Sequence, residues 1–231
     1  MACGDAFALI PARAGSKGLP GKNLLTVGGM TLVARAVTVA QEVSGIEQVV
    51  VSTDGDDIAE EAKRCGASVH RRTAHLASDD ALVSDTIRHV IQGLQAVERL
   101  PKYGVLLEPT SPLRTVEDVE RCLGAVRDGA DSAATFTEAA LHPNRAFVIE
   151  PDGSVAPFLA GAVPWQPRQA LEPPAYQLTG SAYAFDCERF PAEGASVLFG
   201  AIAAVVVPRD RSYDIDDAVD LYVVEALLAR K

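Results

Sequence analysis

Between Phe7 and Thr137 short apolar runs alternate with stretches of helical spacing, and this alternation constrains the fold more than any other feature of the chain. Phe7–Ile10, Gln48–Ser52, Ser68–His70, Gly104–Leu107 and Ser132–Thr137 read as strands rich in apolar and β-branched residues. Thr31–Val43, Asp56–Cys65, Ser84–Arg99 and Val116–Arg127 carry apolar residues at helical spacing. Asp54 or Asp56 can cap the second helix, and Gly66 stops it. A β-α-β-α rhythm implies an α/β fold, a mostly parallel sheet with helices on both faces. Ligands of such sheets bind beyond the carboxyl ends of the strands. The loops at 11–23, 53–56, 108–114 and 208–217 therefore carry the functional weight.

The loop after the first strand is unusual in composition. Ile10–Asn23 holds three glycines, two prolines and three cations in fourteen residues. Glycines let backbone amides approach a bound group closely, and Arg13, Lys17 and Lys22 add full positive charge. Such a loop suits a polyphosphate. It is neither a Walker loop, since no Gly-Lys-Ser/Thr opens a helix, nor a G-x-G-x-x-G dinucleotide fingerprint. The cations stand out against a net charge of −10, which argues against a general nucleic-acid binder.

Other bulk properties narrow the class. At 231 residues the chain suits a single domain, 1–231, with a small appendage. Cys3, Cys65, Cys122 and Cys187 are scattered without a C-x-x-C pair, so free thiols are expected rather than zinc or disulfides. No basic leader opens the chain and no run of about 20 apolar residues interrupts it, so a cytoplasmic protein without a membrane partner is expected.

The rhythm breaks after Thr137. Residues 142–180 are rich in proline, and Phe147–Glu150 and Ser154–Phe158 flank the turn Pro151-Asp152-Gly153. The segment is either a long surface loop or an arm packed on a second subunit. Phe158, Leu159 and Trp165 favour the arm, because exposing them is costly. Strands return at Ser181–Asp186 and Ala203–Val207, and Asp217–Leu228 closes the chain as a helix.

Asp214 and Asp216 flank Ile215 near the end of the chain. In an extended segment both carboxylates face one side and Ile215 the other. Two carboxylates beside a polyphosphate suit magnesium, which takes one or two carboxylates plus phosphate oxygens and water. Asp214, Asp216 or Asp217 could instead cap the last helix, a role that fits Asp217 best. Leu107–Arg114 forms a rigid loop with two prolines and two hydroxyls, and Thr115 is placed to cap the helix that follows. Asp54 either meets a ligand or starts its helix. His70, His75, His89 and His142 lie outside these motifs and are expected to be structural or on the surface.

The motifs IPARAGSKGLPGKN, VVVSTDGDDIAEEAKRCGA, LASD, LLEPTSPLRT, QPRQ and RSYDIDDAVDL, in this order, resemble those of the acylneuraminate cytidylyltransferases (CMP-sialic acid synthetases). The resemblance runs from residue 7 to the C-terminus. It implies a Rossmann-like nucleotidyltransferase fold with a small dimerisation arm, and transfer of CMP from CTP to a sialic-acid-like sugar with release of pyrophosphate. It also implies a homodimer whose arm contributes to the partner's site, and Mg2+ held by Asp214 and Asp216. Ala12, Arg13, Ala14, Gly15, Ser16, Lys17, Lys22, Asn23, Arg72 and Ser78 fall on nucleotide-binding positions, with Arg13 and Lys22 catalytic beside the two aspartates. Glu108, Arg145, Arg168, Gln177, Thr179 and Tyr183 fall on the acceptor side. There the chain departs from the pattern: Glu108 replaces a glutamine, Gln177 an arginine, Thr179-Gly180-Ser181 an Asn-Gly-Ala, and Asp79–Val83 an Asp-Thr-Ala-Ser-Ser run. The acceptor is accordingly either a sialate-like nonulosonate or another small anion, such as a 3-deoxy sugar acid or phosphonoformate. Without turnover, the remaining reading is a nucleotide-binding regulator.

Overall fold

The computed structural model describes residues 4–15, 18–78 and 80–230, apart from the side chain of Ala74. Ser16, Lys17, Asp79 and Cys3 lie outside the described residues.

Strand β1 (Ala6–Pro11) is buried along almost its whole length, as a central strand covered on both faces must be. A two-residue hairpin, β2 (Thr26–Val27) and β3 (Met30–Thr31), turns at Gly28 and Gly29, both at positive φ. The alternation of the sequence did not reveal it, because two-residue strands carry no periodicity. Helix α1 (Leu32–Glu42) starts at Thr31, whose hydroxyl accepts from the Ala34 amide. Next come β4 (Ile46–Thr53), α2 (Asp56–Arg64), β5 (Ser68–Arg71) and the short α3 (Ala74–Ala77). The cap expected from Asp54 or Asp56 on α2 is not formed. Gly55 is the N-cap with no side-chain bond, and the Asp54 carboxylate reaches across to another loop.

Helix α4 (Val83–Ala96) ends three residues before Arg99, at a turn that puts Glu98 at φ 55°. Strand β6 (Tyr103–Leu106) leads through the proline loop to α5 (Val116–Arg127). Thr115 caps α5 as expected, in a reciprocal box with Asp118. Strand β7 (Ser132–Glu138) precedes the proline-rich excursion, which contains the hairpin β8 (Phe147–Ile149) and β9 (Val155–Pro157). Strand β10 (Tyr176–Asp186) starts five residues earlier than the sequence pattern implied, so Gln177 and Thr179 lie in the sheet. Strand β11 (Ile202–Val206) and helix α6 (Ala218–Leu228) complete the chain. Asp217 caps α6 in a box with Asp220.

Seven strands form one sheet in the order β11-β7-β10-β6-β1-β4-β5. Only β10 runs antiparallel to its neighbours. On one face Ala8, Ile10, Val51 and Val105 pack with Val33 and Val37 of α1, Ile58 of α2 and Val119 of α5. On the other, Phe7, Leu9, Val50, Leu106 and Phe185 pack with Ile87 and Val90 of α4. From β1 the chain proceeds outward through β4 and β5, then returns to β6 on the other side of β1. The crevice at this reversal, beyond the carboxyl ends of β1 and β6, is where a ligand finds room between diverging loops.

The edge of Phe185 lies directly over Gly104 of β6, in space that a Cβ would occupy. Gly104→Ala is therefore expected to lower stability by roughly 1–3 kcal/mol through overpacking, read as a fall in Tm. An unchanged Tm would mean that Phe185 has room to move.

Candidate active site

A cavity of about 520 Å³ opens at the predicted crevice. Its floor is Pro11 at the end of β1, and one wall is Glu108, Pro109 and Thr110 after β6. Arg13, Lys22 and Asn23 enter from the first loop, Arg72 and Ser78 from the segment after β5, and Asp214 and Asp216 from the segment before α6. The start of α4 contributes Val83 and Thr86. Four chain segments distant in sequence thus meet at one edge of the sheet.

The first loop ends in a single 3-10 turn at Lys22–Leu24 and is otherwise tied down by side chains. The Asn23 amide donates to the Arg13 carbonyl at 2.9 Å, folding the loop back on itself. The Ala14 amide donates to the Asp54 carboxylate at 2.9 Å, which ties the loop to the end of β4. Gly18 lies against the Asp216 carbonyl with no space for a side chain. Ala12 is buried in the core beneath, and Gly15 is exposed.

The aspartate segment is fixed from the opposite side. Ile215 is fully buried among Val27, Leu32, Leu113 and Val224. Its amide donates to the Thr110 carbonyl at 2.8 Å. The alternation read from the sequence holds: with Ile215 inward, Asp214 and Asp216 both line the cavity. Ser111 Oγ donates to Asp214 Oδ1 at 2.9 Å, and Lys22 Nζ stands 3.1 Å from Asp216 Oδ1. The Asp216 side chain is 79% exposed, so this ion pair is weakly held and open to exchange. Among the described residues no group of three or more His, Cys, Asp or Glu side chains is arranged to hold a metal ion.

Charge is unevenly placed. Burial lowers the Arg72 guanidinium from its ordinary range; Asp54 opposes the shift and Arg13 adds to it. Glu108 is pushed up to about 7, first by burial and then by Asp214. Burial likewise pushes Tyr183 up to about 12, with Glu108 and Asp214 adding to it. Beneath them Arg114 is fully buried and pushed down to about 10, mainly by burial. One Arg114 nitrogen donates to the Glu108 carbonyl. Arg114 and Ser111 were within a motif singled out in the sequence, but nothing in their spacing revealed that they brace Glu108 and Asp214.

The remaining acceptor-side residues do not converge here. Thr179 is buried, with its hydroxyl 2.6 Å from that of Thr135. Gln177 Oε1 accepts from the Ala140 amide at 3.0 Å. Arg145 and Arg168 line a second cavity of about 340 Å³ at the base of the proline-rich segment, where Arg168 pairs with Glu138 at 2.8 Å. Ser16 and Lys17 lie outside the described residues. Cys65, Cys122 and Cys187 are free thiols, as expected. No helix among the described residues is long and apolar enough to cross a membrane.

Fold and site together define a nucleotidyltransferase: an α/β sheet with a cationic loop and paired carboxylates facing each other across its crevice. The chain belongs to the cytidylyltransferase family, whose sequence pattern matches residues 7–193, and is a CTP-dependent enzyme of that family. It is 31% identical over 226 residues to the CMP-N,N'-diacetyllegionaminic acid synthase of Legionella pneumophila, an alignment covering 96% of this chain and 95% of that one. It is 29% identical over 216 residues to the N-acylneuraminate cytidylyltransferase of Streptococcus agalactiae, covering 92% of this chain and 50% of the longer relative. These relatives bear out the resemblance to CMP-sialic acid synthetases. Among solved structures, CMP:2-keto-3-deoxy-manno-octonic acid synthetase complexed with CTP superposes with a TM-score of 0.68 at 20% identity, covering 97% of this chain and 98% of that one. At that identity it bears on the fold, which agrees with the Rossmann-like architecture expected.

If Asp54 holds the first loop through the Ala14 amide, Asp54→Ala loses a bond worth about 1 kcal/mol locally. Hydrogen exchange at residue 14 should then quicken by roughly five- to tenfold. Asp54→Asn keeps the acceptor oxygen and should leave exchange near the wild-type rate. Equal rates in all three proteins would remove Asp54 from this role.

Proposed function

We propose that the cavity binds CTP and that the acceptor is a sialic-acid-like nonulosonate, giving the CMP-activated sugar and pyrophosphate. The observation that carries this reading is the meeting of Arg13, Lys22 and Arg72 with Asp214 and Asp216 around one cavity. The acceptor class is supported by the names of the Legionella and Streptococcus relatives.

In this reading the amides and side chains of Ala12–Lys17, with Lys22, Asn23, Arg72 and Ser78, hold the nucleotide. The acceptor hydroxyl attacks the α-phosphorus in line and pyrophosphate departs. Arg13 and Lys22 neutralise charge growing on the leaving group, so catalysis is mainly positioning and electrostatic stabilisation. Lys22 would exchange Asp216 for a phosphate oxygen as the nucleotide enters.

Asp214 and Asp216 fit magnesium. Both carboxylates face the cavity, Asp214 keeps an oxygen beyond the one Ser111 uses, and Asp216 is exposed. Two protein carboxylates leave the other positions to phosphate oxygens and water, which is the ion's habit. Held by Asp214 and Asp216, the ion would supply positive charge to offset that of the phosphates and would help to lower the acceptor hydroxyl's pKa. Asp216→Asn should reduce turnover by at least about 100-fold.

Glu108 and Tyr183 form the acceptor end. A carboxyl raised to about 7 is substantially uncharged at neutral pH, so Glu108 can serve as a neutral hydrogen-bonding group beside an anionic acceptor. As pH rises through 7 the group ionises, and acceptor KM is expected to rise. Glu108→Gln should flatten that rise between about pH 6.5 and 8.5, because the amide does not titrate. Parallel profiles in both proteins would exclude Glu108 from acceptor binding.

The proline-rich arm exposes Phe158 and Trp165, the latter at 85%, together with Phe147, Ile149 and Val155. We propose that a second copy of the chain covers this surface and that Arg145 and Arg168 serve the partner's site. Sedimentation of wild type and Asp216→Asn at twice the chain mass is the expected result, and a monomeric active enzyme would refute it.

Pyrophosphate release with CTP and a panel of N-acetylneuraminate, diacetyllegionaminate, 3-deoxy-manno-octulosonate and phosphonoformate tests the acceptor. Turnover of either nonulosonate is expected. Turnover of only the octulosonate or the phosphonate would replace this acceptor class, and CTP binding without release would point to a regulator.

A further inference from the structure

Behind Arg72 runs a chain of polar groups that the chemistry above does not use. Ser52 of β4 and His70 of β5 are register partners in a parallel pair, and both side chains leave the same face of the sheet. Helix α4 covers that face, where the surrounding packing is Phe7, Leu9, Val50, Ile87 and Val90. Ser52 is fully buried. Its Oγ lies 3.0 Å from Arg72 Nε and 2.9 Å from His70 Nδ1. His70 Nε2 in turn lies 2.7 Å from Nδ1 of His89 on α4. The two imidazoles are tilted at 59° with centroids 4.9 Å apart. His89 is exposed, so the chain connects the cavity wall with the outer surface.

Counting donors gives the chain a direction. A guanidinium can only donate, so Ser52 Oγ accepts from Arg72 and keeps one proton to give. His70 Nδ1 is the acceptor within reach, which leaves the His70 proton on Nε2, pointing at His89 Nδ1. Every group is satisfied in this one arrangement. Burial first, then the charges of His89 and Arg72, push His70 down to about 4, so it keeps the neutral form that the arrangement requires.

We propose that Ser52, His70 and His89 are a positioning relay that sets the orientation of Arg72 toward the nucleotide. The proposal rests on the reading of Arg72 as a nucleotide ligand. Arg72 Nη1 also donates to the Leu76 carbonyl at 3.4 Å, a long contact that leaves the Nε bond to Ser52 as the principal brace. A long guanidinium side chain loses rotamer freedom when it clamps an anion, and ordering it beforehand removes that loss from the binding step. Polar groups on a face otherwise built of Phe, Leu, Val and Ile are costly unless hydrogen-bonded to one another. The relay satisfies that condition while aiming Arg72.

The test measures CTP dissociation constants and steady-state kinetics for His70→Phe, His70→Asn, Ser52→Ala, Arg72→Gln and the double variant His70→Phe/Arg72→Gln. His70→Phe keeps ring volume but removes the acceptor for Ser52; CTP Kd and KM should rise about 5- to 20-fold, with kcat within about twofold and acceptor KM unchanged. His70→Asn places Oδ1 where Nδ1 stood and should recover most of the affinity. In the Arg72→Gln background, His70→Phe should add nothing, since the relay acts only through Arg72. If His70→Phe does not fold, Ser52→Ala gives the same readout with a smaller change of volume. A Kd in His70→Phe and Ser52→Ala within twofold of wild type, while Arg72→Gln weakens CTP, would overturn the relay and leave the nucleotide site intact. Independent, multiplicative losses in the double variant would also overturn it. An unchanged Kd in Arg72→Gln itself would sink the reading of Arg72, and the relay with it.

Discussion

Burial of Ile215 is the constraint on which the site depends. The residue sits in a small apolar cluster with Val27, Leu32, Leu113 and Val224, which joins the early hairpin, α1, the loop after β6 and the last helix. Its backbone donates to Thr110. Because alternate residues of an extended segment face opposite ways, burying Ile215 obliges Asp214 and Asp216 to face the cavity. The hydrophobic effect thus does electrostatic work: burying one isoleucine side chain, worth roughly 1.5–3 kcal/mol, holds two carboxylates beside a cationic loop. The ligand that this arrangement awaits would relieve repulsion on both sides of the cavity.

The site is braced from behind at each of its charged elements. Asp54 ties down the first loop, Ser111 holds Asp214, Arg114 binds the Glu108 carbonyl, and Ser52 bonds to Arg72. Such outer contacts limit how far reacting groups can stray, which matters when catalysis is positioning and charge neutralisation rather than covalent chemistry. Lys22 and Asp216 are the exception. They pair directly with each other across the exposed rim, where solvent competes for the contact.

Much of the architecture was legible because it follows from local periodicity. The long strands and helices, the caps at Thr115 and Asp217, and the turn at 151–153 were all readable from residue type and spacing. The hairpin at 26–31 escaped, since strands of two residues have no pattern to detect. The early start of β10 escaped because its first residues pair with β7, a contact remote in sequence. Asp54, readable from the sequence as a helix cap or a ligand contact, does not cap its helix: its bond to Ala14 spans forty residues, beyond the reach of a local pattern.

The sequence by itself determined the family, the succession of strands and helices along the chain, and the charged residues of the first loop and the aspartate pair as those to look for at the cavity. Those properties reside in short motifs whose chemistry is local: glycines that admit backbone amides, cations for phosphate, two aspartates around an isoleucine. Only the tertiary structure decided which of the flagged residues meet. It brought Glu108 to the same cavity as the aspartates, set Thr179 and Gln177 to internal hydrogen bonds, and placed Arg145 and Arg168 around a second cavity. It also joined Ser52, His70 and His89 behind Arg72. The physical reason is that side-chain partnership depends on sheet order and register, which are set by packing across the whole chain and leave no mark in the spacing of the residues involved.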